Sequence, residues 1–255
     1  MNTDKTETGY EDPPLPPPPP RVWFLTIKPV LTYILIGVNI VFFLLQMLSE
    51  YARGIDLPFL LLGKFKEAIL AGQYWRLITP VLLHGSLLHL GFNMYALFII
   101  GARLENVYGY LRFGLLYLLG AFGGNVLSFV LSPNPSLGSS TAIFGFLAAE
   151  VVLIIQNKDF FGEKTRGLLF NLGFVLVINF AIGLSAGMRI DNYGHLGGLI
   201  AGFFFASLAG PKWKMEFDGR RYTMMDVREK GEIWMAAGLV ALGFAAMAAI
   251  PFLAK

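Results

Sequence analysis

Seven long, predominantly apolar stretches constrain this chain more than any other feature. They cover residues 30–48, 87–107, 113–131, 142–155, 168–187, 196–208 and 233–253. About 20 apolar residues in helical form cross the ~30 Å hydrocarbon core of a bilayer. Hydrocarbon offers no partner to backbone N–H and C=O groups, so such segments cross as helices that satisfy their own. The expected fold class is all-α, a polytopic transmembrane helical bundle whose surroundings are the lipid bilayer. Composition agrees, with 15% charged residues and a mean hydropathy of +0.60, where soluble domains carry about 25% charged residues. A net charge of +3 then reads as loop charge beside lipid headgroups, with no nucleic acid as partner. The chain has no cysteine, which excludes disulfides, thiolate catalysis and Cys-ligated metals.

Residues 1–28 are different material. They hold seven of the fourteen prolines, and an acidic cluster of Asp4, Glu7, Glu11 and Asp12. Such a stretch cannot bury apolar surface, so a disordered tail ending in a short polyproline II segment is expected. It resembles neither a secretory signal nor an Arg-rich presequence, which favours a prokaryotic plasma membrane. Most of 50–80 is amphipathic, with apolar residues 59–62 beside Lys64, Lys66 and Glu67, and is expected to lie in the membrane interface. With the N-terminus in the cytoplasm, inside segments carry fourteen Lys and Arg and outside segments six. The positive-inside rule prefers that orientation and puts the C-terminus outside.

Orientation makes the few polar groups informative. His84 and His89 lie at the start of the second span, Gly138-Ser139-Ser140 at the start of the fourth, and His195 at the start of the sixth. Even-numbered spans all enter from outside, so three histidines and a serine-rich turn converge on one leaflet. The fourth and sixth spans reach crossing length only if Ser140 and His195 belong to their helices. A serine hydroxyl becomes nucleophilic when a neutral imidazole nearby takes its proton, and acyl transfer needs donors for the developing oxyanion. His89 and Asn93 are four apart and share a helix face, while Gly138 lets backbone approach substrate closely. Gly194, Gly198 and Gly202 form the small-residue strip that lets membrane helices touch. Ala142, Gly145 and Ala149 offer a matching strip on the fourth span.

The strings His84-Gly-Ser-Leu-Leu-His89-Leu-Gly-Phe-Asn93, Gly138-Ser-Ser140-Thr-Ala-Ile-Phe-Gly145 and Gly194-His195-Leu-Gly-Gly198-Leu-Ile-Ala-Gly202 resemble the rhomboid family of intramembrane serine proteases. Tyr74-Trp75-Arg76 resembles that family's Trp-Arg motif in its first loop, and Gly101-Ala-Arg-Leu-Glu105 its glycine-glutamate stretch. The resemblance covers about residues 30–210. It implies a six-helix core over 29–210 and a basic cytoplasmic linker over 211–230. An additional C-terminal transmembrane helix follows over 231–255, the six-plus-one type. It implies Ser140 as nucleophile and His195 as general base, with no cofactor and no metal. It implies that His89, Asn93 and the Ser140 amide hold the oxyanion. His84 resembles the family's first-loop histidine, a more structural residue. Substrates would be transmembrane segments of other proteins, entering past the fifth span and the loop 186–193 and cut near the outer surface.

One departure is Thr141, where the family commonly has glycine; its branched side chain would narrow the pocket or slow turnover. Asp191, four before His195, reads better as the cap of the sixth span than as a third triad member. Phe144 could pack on the His195 ring or simply be core. Glu150, deep in the fourth span, reads as a buried structural group with Asn125, Asn171 and Asn179 as available partners. Arg103 and Glu105 read as loop tethers. A zinc protease is disfavoured because the chain lacks His-Glu-x-x-His. The alternative is a rhomboid-like pseudoprotease that binds and escorts membrane proteins; such members lose the serine or the histidine, and this chain keeps both.

Overall fold

The computed structural model describes residues 27–184, 190–217 and 222–253. Nearly all of the Pro-rich tail and part of the loop 186–193 lie outside the described residues. Helix α1 (Val30–Arg53) is followed by a long loop with two short helices, α2 (Leu57–Leu62) and α3 (Lys66–Leu70), and two 3₁₀ turns. Helix α4 (Leu87–Ala96) passes through a π-helical stretch, Leu97–Gly101, into α5 (Ala102–Leu131). Gly109 breaks α5 at φ 75°, ψ 164°, a conformation that glycine adopts without a Cβ penalty. The chain doubles back there. His89 in the first half and Ser128 in the second both meet loops at the same pole, so 87–131 makes two crossings. Helices α6 (Ser140–Gln156), α7 (Lys158–Phe161), α8 (Lys164–Gly183) and α9 (Asn192–Ala209) follow. A hairpin of β1 (Trp213–Phe217) and β2 (Tyr222–Asp226) leads to the last helix, α10 (Lys230–Leu253).

The protein is an all-α polytopic membrane bundle. Helices α1, α8 and α10 and the Leu87–Leu131 stretch are long and apolar enough to cross a membrane. Helix α6 has 17 residues, about 25 Å at 1.5 Å per residue. It begins at Ser140, and α9 includes His195, so the polar residues at the mouths of these helices do extend them.

Backbone contact holds the centre together. A Cβ added at Gly198 would lie 1.9 Å from the Thr141 carbonyl oxygen, and one at Gly202 2.2 Å from that of Gly145. Helices α6 and α9 therefore touch main chain to main chain. On α5, a Cβ at Gly124 would meet Thr141 Cβ at 2.5 Å, and one at Gly123 would meet Ala201 Cβ at 2.6 Å and Phe244 Cζ of α10 at 3.0 Å. Lipid tails are as apolar as leucine, so dispersion at such close approach carries much of the association. Helix α10 is built into this packing. Val240, Ala237 and Phe244 are buried, and Phe252 meets the rings of Tyr74 and Phe129. Helix α8 is the opposite case, with no buried residue along its length; the Phe180 ring meets Phe144 edge-on at 5.4 Å.

The pole away from the histidines is tied by charged groups. The buried Glu105 carboxylate accepts from the Leu31 and Thr32 amides at 2.8 and 2.7 Å and from the Thr32 hydroxyl at 2.7 Å. It thereby supplies, from another helix, partners for the free N–H groups at the start of α1. Glu150 is buried as expected, but its partner differs. Arg103 donates to it through Nε at 2.8 Å and forms an ion pair through Nη2. Asn125 and Asn179 instead donate to their own helices, at Ala121 and Val175. Side-chain amides four residues from a carbonyl are satisfied locally, whereas Glu150 needs a charge-assisted donor from across the bundle. The 211–230 segment, expected as plain linker, carries the β1–β2 hairpin, anchored by an Arg112–Asp226 ion pair. Arg228 donates to the Gly210 and Ser207 carbonyls at 3.2 and 3.0 Å, covering the end of α9.

Candidate active site

Ser140 opens α6 and His195 sits in the first turn of α9. The glycine contacts between these helices bring His195 Nε2 to 2.9 Å from Ser140 Oγ, hydrogen-bonding distance for proton transfer. The His195 ring is stacked on Phe144 with centroids 4.0 Å apart and planes 11° apart, which fixes the plane of the imidazole. Asp191 does not stand behind it. Its carboxylate accepts from the Gly194 amide at 2.9 Å as the N-cap of α9, and from the Ser128 hydroxyl. His195 Nδ1 is buried and has no hydrogen-bond partner among the described residues. The arrangement is a serine–histidine pair with no carboxylate on the imidazole among the described residues.

Gly138, two residues before Ser140, sits at φ +124°, and its amide donates to the Pro80 carbonyl at 2.9 Å. A Cβ there would be strained and would lie 2.8 Å from His89 Cε1 and 3.6 Å from Ser140 Oγ. Glycine at this position therefore leaves room between the His89 ring and the serine hydroxyl. Asn93 is one turn further along α4 and buried, and its Nδ2 has no hydrogen-bond partner among the described residues. A buried amide donor without a partner is costly, and here it is available to an oxygen that bears charge only during reaction. The amide of Ser140, in the first turn of α6, has no intrahelical acceptor.

Around these groups the long loop acts as scaffold. The His84 amide donates to Gln46 Oε1 at 3.0 Å, its Nε2 lies 3.4 Å from the Ser139 hydroxyl, and its ring meets His89 edge-on at 5.1 Å. Burial, with His89 beside it, lowers the His84 pKa to about 3, so it stays neutral at ordinary pH and packs against His89 without adding charge. Arg76 donates to the Gly63 and Leu60 carbonyls, both at 2.7 Å, and Trp75 Nε1 to Leu61 at 3.1 Å. The Trp-Arg pair thus covers the carbonyl end of α2 rather than facing the serine.

A family model of the Rhomboid domain matches residues 71–212, more than half of the chain. This chain belongs to the rhomboid family. As a rhomboid it falls in a family composed mostly of serine intramembrane proteases. It is 38% identical over 183 residues to a Bacillus subtilis protein named rhomboid protease GluP, which covers 72% of this chain and 35% of that protein. It is 39% identical over 140 residues to mitochondrial RHOMBOID-like protein 6 of Arabidopsis thaliana, covering 54% of this chain and 45% of that one. RHOMBOID-like protein 1 of the same plant is 38% identical over 144 residues, covering 55% and 36%. The chain thus spans between a third and a half of the length of these relatives.

Two features of this rhomboid depart from expectation. Thr141 was expected to crowd the pocket. Its side chain instead packs into the interface of α5, α6 and α9, with Cγ2 3.1 Å from where a Gly194 Cβ would lie. It follows Ser140 by one residue, about 100° around the helix, which turns it away from the nucleophile's face and into the core. Lys64 was expected on an amphipathic interfacial surface and is completely buried. Its Nζ donates to Ser128 Oγ at 2.9 Å. A lysine in an amphipathic stretch carries no sequence signal of its partner, which lies 64 positions away.

Proposed function

We propose that this protein is an intramembrane serine endopeptidase that cleaves transmembrane segments of other membrane proteins near the outer leaflet. The observation that carries the reading is the 2.9 Å contact between Ser140 Oγ and His195 Nε2. Neutral His195 takes the hydroxyl proton as Ser140 Oγ attacks the scissile carbonyl carbon. The resulting oxyanion is held by the Ser140 amide, Asn93 Nδ2 and the His89 ring. The imidazolium then gives its proton to the leaving amine, and an acyl-enzyme remains. A water deprotonated by His195 attacks that ester, and the serine is released. Helix α8, unburied along its length, supports lateral entry of a substrate helix beside it, next to Phe180 and Phe144. Among the described residues, ten Lys and Arg lie on segments at the pole away from Ser140 and four on the other side, which supports a cytoplasmic N-terminus and an outward-facing site.

The escort reading predicts binding without turnover, and the intact serine–histidine contact favours the enzyme. The test uses protein purified in detergent, a single-span substrate and a fluorophosphonate probe. Cleavage inside the span, with covalent labelling that maps to Ser140, is the expected result. Binding of substrate with neither cleavage nor labelling would establish the escort instead.

The oxyanion assignment has its own test. Asn93→Ala is expected to lower kcat by about 10²–10³ with KM little changed, the usual cost of one donor that acts only on the transition state. Equal loss in KM and none in kcat would make Asn93 a substrate-binding group.

A further inference from the structure

Lys64, in the long loop, contacts the segment leading into Ser140 directly and reaches the cap of the His195 helix through Ser128. Its backbone pairs with Ser136, amide to carbonyl at 3.0 Å and carbonyl to amide at 3.1 Å. Ser136 lies four residues before the nucleophile, in the short segment between Leu131 and Ser140. Its side chain runs the other way, into α5. Nζ donates to Ser128 Oγ at 2.9 Å and to the Ser132 and Ser128 carbonyls at 3.3 and 3.4 Å. Ser128 passes its own proton on to the Asp191 carboxylate, and Asp191 caps α9 through the Gly194 amide, one residue before the base. An ammonium ion with no exposed surface is stable only where hydrogen bonds and an opposite charge compensate its lost hydration. Here all three of its donors are engaged, and the nearest negative charge in the chain of contacts is the cap of the His195 helix.

We propose that Lys64 is a positioning residue that locks the segment leading into Ser140 to the N-cap of α9, so that the loop sets the Ser140–His195 distance. The inference rests on the protease reading only for its kinetic consequence; the mechanical link stands on the contacts alone. The link depends on charge, because only the ammonium donates to three acceptors at once. Burial lowers the Lys64 pKa to about 8, with Lys66 adding to the shift and Asp191 and Glu67 opposing it. Arg76 also comes close, its guanidinium bonding the adjoining Gly63 carbonyl. The lock is therefore charged below pH 8 and loses its proton above it. Catalysis is expected to weaken on the alkaline side, whereas a general base alone would keep its activity there.

The experiment compares wild type, Lys64→Met, Lys64→Arg and Ser140→Ala as full chains in detergent. Amide hydrogen exchange is followed over residues 136–140 and 191–195, and cleavage of a single-span substrate is measured from pH 6 to 10. Lys64→Met is expected to exchange at least tenfold faster in both segments and to lose at least tenfold in kcat with KM little changed. Lys64→Arg, which keeps its charge throughout this range, is expected to restore protection and to move the alkaline fall in kcat upward from near pH 8. Unchanged exchange in Lys64→Met, or an alkaline limb identical in wild type and Lys64→Arg, overturns the proposal. If Lys64→Met does not fold, Ser128→Ala replaces it with the same expected exchange. If Ser140→Ala cleaves as fast as wild type, the protease reading fails, and the exchange data still decide the lock.

Discussion

Ser140→Ala and His195→Ala are each expected to lower kcat for cleavage of a single-span substrate by at least about 10⁴-fold, and the double variant by no more than the worse of the two. On the proposed mechanism the hydroxyl and the imidazole act as one unit. Without Nε2 at 2.9 Å the serine keeps its proton, and without Oγ the base has nothing to activate. Removing either member of such a pair costs nearly as much as removing both. Residual rate would come from Asn93, His89 and the Ser140 amide, which still hold an oxyanion formed by water attack. Fluorophosphonate labelling should vanish in Ser140→Ala and slow strongly in His195→Ala. Additive losses in the double variant would mean that the two residues act in separate steps.

Gly198→Val is expected to cost more than about 4 kcal/mol of stability and to abolish activity through the fold rather than the chemistry. Its Cβ would lie 1.9 Å from the Thr141 carbonyl oxygen, which is backbone and cannot swing away. Relief requires α6 and α9 to separate, and Ser140 and His195 ride on those helices. Overpacking against main chain belongs to the short list of mechanisms behind the largest single-residue effects. The control is Gly238→Ala on α10, where an added Cβ meets nothing within 4 Å. Alanine exceeds glycine in helix propensity by about 1 kcal/mol, so that variant should match or exceed wild type. Thermal aggregation in detergent separates the two. A Gly198→Val protein as stable as wild type would mean that the α6–α9 contact can open without penalty.

These two variants mark different depths of legibility. Long apolar runs with few charges were sufficient to place the helices, and the structure begins α6 at Ser140 and includes His195 in α9. The convergence of His84, His89, Ser140 and His195 on one side followed from counting crossings. The glycine spacing of four indicated which helix faces could touch, since only small residues recur there. Partner identity was less accessible. Glu150 pairs with Arg103, 47 positions earlier, and Lys64 reaches Ser128 and, through it, Asp191, because a buried charge takes whatever donor or acceptor the packing presents. Thr141 is the neighbour of Ser140 in the chain, yet about 100° of helical turn carries its side chain into the contact with α5 and α9.

The sequence by itself determined that this chain is a polytopic helical membrane protein, which polar residues stand together at one set of helix mouths, and which family it resembles. Those properties depend on hydropathy and on local spacing, both written along one dimension. Only the tertiary structure decided the 2.9 Å serine–histidine contact, the stacking of Phe144, the place of Asp191 as a cap, and the burial of Lys64. Each of these depends on how closely α5, α6 and α9 approach. That distance is set by the summed dispersion contacts of many small residues, which no single position in the sequence records.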